Sequence, residues 1–128
     1  MEKQCFILSY NLIMKLPNGK NAYISKEKLL EYLLSETHPV GKSKAKFFRK
    51  LGFNESNVDK LKQIFLSISR TYDVDDVKKT AYGVNYVIKG EIRLQNKSAS
   101  IKTVWFIELG TDKPRFITAF PDIINKRR

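Results

Sequence analysis

One histidine, His38, stands in the stretch "ETHPVGKSKAKFFRKLGF" from Glu36 to Phe53. An imidazole titrates near neutrality, so it can both take and give a proton. Five cations follow it, Lys42, Lys44, Lys46, Arg49 and Lys50, with no acid among them. A proton carrier beside a positive surface is what phosphodiester cleavage needs. A loop histidine ahead of a solvated cationic helix is the plainer alternative. Projection on a helical wheel at about 100° per residue separates the five. Lys42, Lys46, Arg49 and Lys50 share a stripe suited to a polyanion, whereas Lys44 falls among Phe47, Phe48 and Leu51. Either its stem lies on apolar surface with the ammonium escaping to water, or the ammonium enters a crevice near the helix N-terminus. There, free amides and the helix dipole favour a phosphate. Asp75 and Asp76 are neighbours, so on a strand they point to opposite faces and form no carboxylate dyad. Trp105 shares a strand face with Thr103 and is either core or a platform on which a base stacks.

The elements that must position these groups follow from periodicity. Residues 5–16 read as a short strand or extension, and "LPNGK" as a turn. Ser25 caps a helix reaching about Ser35, with Leu29, Leu30, Leu33 and Leu34 as its apolar stripe. "THPVG" breaks it, since the residue before Pro39 is pushed out of the helical region. A second helix spans about Lys42 to Leu51 and stops at Gly52. A third runs from about Ser56 to Ser69, with Val58, Leu61, Phe65 and Ile68 on one face. The period then changes to two. Val84 to Leu94 alternates across a possible bend at Gly90, Ile101 to Leu109 forms a further strand, and Arg115 to Phe120 the last. The tail 125–128 reads as frayed. The fold class is α+β, with N-terminal helices packed on one face of an antiparallel sheet of about four strands.

At 128 residues the chain reads as a single domain, 1–128, able to bury one core. Its net charge of +11 favours polyanionic partners. Among these, nucleic acid and an acidic protein fit better than a membrane surface, because no apolar run approaches the roughly 18 residues of a spanning helix. A lone cysteine, Cys5, rules out an internal disulfide and suits a reducing, cytoplasmic setting. There is no P-loop, no Cys/His zinc spacing and no acidic metal cluster, so chemistry without a metal or other cofactor is the expectation if this is an enzyme.

Two stretches, "LPNGKNAYISKEKLLEYLLSETHPVGKSKAKFFRKLGF" and "TVWFIELGTDKPRFITAFP", resemble a bacterial family known only as a domain of unknown function. Its patterns, KLxxYLLxxxHPxGxxKAxFFxxLG and VWxxxxGxxxPRxxTAYP, match over about 16–121, with Phe120 where Tyr is frequent. More loosely, the layout is similar to the metal-independent ribonuclease toxins related to barnase, EndoU, RelE and colicin D. That similarity implies a toxin of a toxin–antitoxin or contact-toxin system, with RNA as substrate and an acidic antitoxin or immunity protein as partner. It implies an early pair, His38 and Lys44, and a late pair, Arg115 and Thr118. His38 would be general base or acid, Lys44 and Arg115 would hold the phosphate, and Thr118 would bond a non-bridging oxygen. On a regular strand Arg115 and Thr118 would face opposite ways, so one site needs a bulge between them or Arg115 reaching around the strand end. Lys42, Lys46, Arg49, Lys50 and Trp105 would bind RNA. A non-catalytic basic module binding RNA or an acidic protein is the alternative.

Overall fold

A computed structural model of the chain describes residues 14–39 and 41–122. Most of the extension expected over 5–16, and all of the tail at 125–128, lie outside the described residues. After a 3-10 turn at Gly19–Asn21, helix α1 (residues 26–33) starts as an α-turn, Lys26–Lys28, and widens into a π-turn, Leu29–Leu33. Ser25 caps it as expected, its Oγ accepting from Lys28 N at 3.0 Å. Helix α2 is Lys42–Leu51, and Gly52 ends it at φ 115°. A capping box at Asn54 opens the 3-10 turn Glu55–Asn57, which leads into α3, Val58–Thr71.

Four strands follow as an antiparallel meander: β1 (Val74–Thr80), β2 (Gly83–Leu94), β3 (Lys97–Glu108) and β4 (Arg115–Pro121). The bend considered at Gly90 is absent, and β2 pairs with β3 without interruption from Gly83 to Leu94. Gly90 serves α3 instead, because a Cβ there would come within 2.9 Å of Ile68 and Tyr72. The helices cover one sheet face, as the periodicity required. Leu29, Leu33, Phe48, Leu61 and Phe65 pack against Ile88, Ile92, Ile101, Trp105 and Phe116, all buried. Each such side chain contributes roughly 1.5–3 kcal/mol by leaving water. Phe65 stacks on Phe116, and the edge of Trp105 meets Phe116.

Two irregularities shape the edge where β4 meets α1. In α1, Leu34 N donates to Leu29 O at 2.8 Å, a bond five residues back instead of four. The wider turn lets Leu29, Leu33 and Leu34 all be fully buried while Tyr32 is only half-buried. In β4, Val104 pairs with Thr118 but Trp105 pairs with Phe116, so one extra residue, Ile117, is inserted. Phe116 and Ala119, three apart, are therefore both buried. By the same register Arg115 (opposite Phe106) and Thr118 (opposite Val104) share the other face.

Candidate active site around Tyr32

Tyr32 lies in the π-turn of α1, and three of the four residues implied by the sequence touch it. Its Oη and Thr118 Oγ1 are 3.2 Å apart, joining α1 to the bulged part of β4. The His38 ring meets it edge-on, with centroids 5.0 Å apart. Lys44 Nζ stands 5.7 Å from its ring centroid, and Lys28 Nζ, one turn earlier, stands 4.9 Å away. Burial pushes the phenol pKa up, but hydrogen bonding with Thr118 and Lys44 and the charges of Lys44 and Lys28 outweigh it. The hydroxyl is held below its ordinary 10.0. A cation beside a phenol stabilises the phenolate, which is the source of that direction.

The break between α1 and α2 fixes His38. Ser35 Oγ accepts from Thr37 N and His38 N, turning the chain out of α1. His38 O accepts from Lys42 N at 3.0 Å, the first bond into α2. His38 Nδ1 accepts from Gly41 N at 3.1 Å. An accepting Nδ1 places the proton of the neutral ring on Nε2. In this geometry the neutral imidazole presents N–H, not a lone pair, through Nε2. Gly41 also abuts Tyr32, since a Cβ built on it would lie 2.0 Å from Tyr32 O. One residue thus orients His38 and sets the approach of α2 to α1.

Residues 15–123 match the model of a family described as a domain of unknown function, DUF6883. The chain belongs to that family. In fold, this DUF6883 domain is similar to a chain of a solved contact-dependent growth inhibition toxin–immunity protein complex from Klebsiella pneumoniae 342. The TM-score is 0.61 at 14% identity, over 81% of this chain and 96% of that one. No curated protein matches the sequence.

The other candidate residues of the DUF6883 domain separate into three groups. Trp105 is core: it is fully buried, and its Nε1 donates to Thr103 Oγ1 at 2.8 Å. That burial overturns the base-stacking role suggested for it. Arg49 is largely occupied by the fold. Its Nε and Nη2 donate to Leu34 O at 3.1 and 2.7 Å, closing the end of α1, and Nη2 meets Glu55 Oε2 at 2.6 Å. Its place in an RNA-binding stripe is corrected accordingly, because its charge is matched and its donors are engaged. Lys42, Lys46 and Lys50 are exposed, and they line an open hollow of about 900 Å³ with Glu36, Ser43 and Arg49.

Arg115 stands apart from the Tyr32 cluster. Its guanidinium lies 5.7 Å from the Phe106 ring centroid, over a separate hollow shared with Tyr23, Glu108, Asp112 and Lys113. The bulge supplies the common face that Arg115 and Thr118 needed, but the contacts of Thr118 run to Tyr32 and those of Arg115 to Phe106. Among the described residues, no group of three or more His, Cys, Asp or Glu is placed to hold a metal ion, and no helix is long and apolar enough to cross a membrane.

Tyr32 is the residue that sequence reasoning missed. Inside "LLEYLL" it falls outside the apolar stripe of Leu29, Leu30, Leu33 and Leu34 and receives no role. Two signals were available: the pattern KLxxYLL places a fixed tyrosine at this position, and a tyrosine half-buried among leucines needs a partner for its hydroxyl.

Proposed function

We propose that this domain cleaves RNA without a metal ion, by attack of the ribose 2′-hydroxyl on the adjacent phosphorus. One observation carries the proposal: Tyr32 touches His38, Lys44 and Thr118 together, residues that come from the interhelical break, α2 and β4. Lys44 stabilises the charge that develops on the phosphoryl oxygens, where a preorganised cation has most effect. His38 donates to the same oxygens through Nε2. Lys42, Lys46 and Lys50 recur every four residues along one face of α2 and steer the polyanion.

The biological role that fits is a toxin held in check by an acidic immunity protein or antitoxin. The fold shared with a chain of a toxin–immunity complex supports it. So does a net charge of +11, which suits the member of such a pair that engages a polyanion. An acidic partner placed over the lysine stripe would exclude RNA by occupying the same charges.

The test is incubation of the purified chain with total RNA in excess chelator. Cleavage should persist, and the products should carry 2′,3′-cyclic phosphate ends, because the nucleophile belongs to the substrate. Activity that disappears on chelation and returns with Mg²⁺ would refute the mechanism. Salt-sensitive binding with intact RNA would leave the non-catalytic basic module as the function.

A further inference from the structure

We infer that Tyr32 is a catalytic residue, the group that takes the proton from the attacking 2′-hydroxyl. The inference rests on the ribonuclease proposal above and assigns the removal of the 2′-hydroxyl proton, a step which that proposal leaves without an agent. A base must offer a lone pair toward the substrate. His38 is poorly placed to do so, because its Nδ1 lone pair receives the Gly41 N–H at 3.1 Å and its Nε2 then carries hydrogen. Lysine ammonium groups have no lone pair, and Thr118 is far too weak an acid to be ionised. Glu27 and Glu31 border the same hollow but are exposed, and Glu27 accepts from Ser25 Oγ. Among the side chains that meet at the Tyr32–His38–Lys44–Thr118 cluster, Tyr32 remains, and its surroundings are arranged for its anion. Two ammonium groups stand 4.9 and 5.7 Å from its ring centroid, and the Thr118 hydroxyl lies 3.2 Å from Oη. The lowered phenol pKa has the direction that this arrangement requires. A base is most effective when its pKa approaches the working pH while enough of it is ionised.

The step balances as follows. The O2′–H proton passes to Tyr32 Oη while the O2′–P bond forms. The P–O5′ bond breaks, and O5′ takes a proton from water. Tyr32 then returns its proton to solvent, leaving no net change in the enzyme. Thr118 has a single hydroxyl proton, and the phenolate accepts it. Thr118 is thus a positioning residue for Tyr32, rather than the phosphate ligand implied by the resemblance.

The experiment is Tyr32→Phe, which keeps the ring that meets His38 and the lysines and removes only the hydroxyl. The full chain and the variant are compared by melting, by phenolate absorbance titration and by the pH profile of cleavage of a short RNA. The wild type should show one tyrosine ionising ahead of the rest, and Tyr32→Phe should lack it. Wild-type cleavage should rise with pH until that ionisation is complete. The variant should melt normally, lose roughly 10²–10⁴-fold in rate and lose that rise. Thr118→Val should shift the rise to higher pH, an effect that loss of packing alone does not produce. If the wild type cleaves and Tyr32→Phe retains its rate within tenfold and its pH profile, the assignment to Tyr32 is overturned while the ribonuclease proposal stands. If the wild type leaves RNA intact, both are overturned.

Discussion

Replacing Gly41 with alanine should disable the site without touching any group that meets the substrate. Gly41 sits at φ −81° and ψ −18°, a conformation open to any residue, so backbone freedom is not its purpose. Its purpose is close approach. An added Cβ would lie 2.0 Å from Tyr32 O, 2.9 Å from its carbonyl carbon and 3.3 Å from Cδ1, where Cβ contacts essentially never fall under 3.0 Å. The obstructing atoms are backbone, which no rotamer change can move aside. The N-terminus of α2 and the end of α1 must therefore part, and a displacement of about 1 Å at a catalytic constellation costs on the order of 10²-fold in rate. The His38 Nδ1 contact with Gly41 N loosens in the same movement.

Overpacking of this kind typically costs about 1–3 kcal/mol, or several degrees of melting temperature in a domain of this size. Without the clash, Gly→Ala at such a backbone conformation would instead stabilise by about 0.4–1 kcal/mol. The two mechanisms predict opposite signs. Thermal unfolding and RNA cleavage of Gly41→Ala, with the exposed neighbour Ser43→Ala as control, decide between them. A variant that melts higher than the wild type and cleaves at its full rate would refute the proposed role of the α1–α2 approach.

Three further outcomes follow from the same geometry. Lys44→Ala should lose about 10²-fold or more in cleavage and melt nearly as the wild type does, whereas Lys46→Ala should weaken RNA binding slightly and become neutral at high salt; equal, small losses would remove Lys44 from the site. The slope of log K against log[salt] should be about −2 if Lys42, Lys46 and Lys50 each meet one phosphate of a single strand, and each lysine-to-alanine change should lower it by about 0.7. The hydrogen bond from Arg49 holds the Glu55 carboxyl below its ordinary pKa, so its contribution to stability is full above the unfolded carboxylate value and is lost as pH falls through the folded one. The melting curves of Glu55→Gln and wild type should accordingly differ near neutrality and converge in acid, and a constant gap across pH would refute the ion pair's role.

The chain states its helices more openly than its edges. Ser25 caps where a serine should, Lys42–Leu51 is helical from its first basic residue to its last leucine, and Gly52 takes the positive φ that stops it. Strand β1 was not legible as an element. "VDDVKKT" buries only Val74 fully, and its charges protect an exposed sheet edge instead of marking an apolar face. Gly90 was legible as special but for the wrong reason, since the crowding comes from Ile68 and Tyr72 on another element. The basic stripe was legible in outline, yet nothing local separates Arg49 from its lysine neighbours. Its partners, Leu34 O and Glu55, lie across the interhelical break and beyond the helix end. Removing it should cost about 1–3 kcal/mol, because a carbonyl at the end of α1 loses both of its donors.

The site itself depends on two departures from regular structure: the β4 bulge, which alternation required if Arg115 and Thr118 were to share a face, and the π-turn of α1, which no periodicity argument anticipates. Had α1 closed its last turn with ordinary four-residue bonds, the three buried leucines and Tyr32 could not have kept the same placement. Had β4 run without Ile117 as an extra residue, Phe116 and Ala119 could not both have packed inward, and Thr118 would have faced away from its present side. The two irregularities meet at a single contact, Tyr32 Oη to Thr118 Oγ1. A π-turn and a β-bulge each give up regular hydrogen bonding, and both concentrate where a side chain has to be re-aimed. Their coincidence at one hydroxyl pair, flanked by Lys28, Lys44 and His38, is the structural reason to place the chemistry at Tyr32 rather than at the lysine stripe.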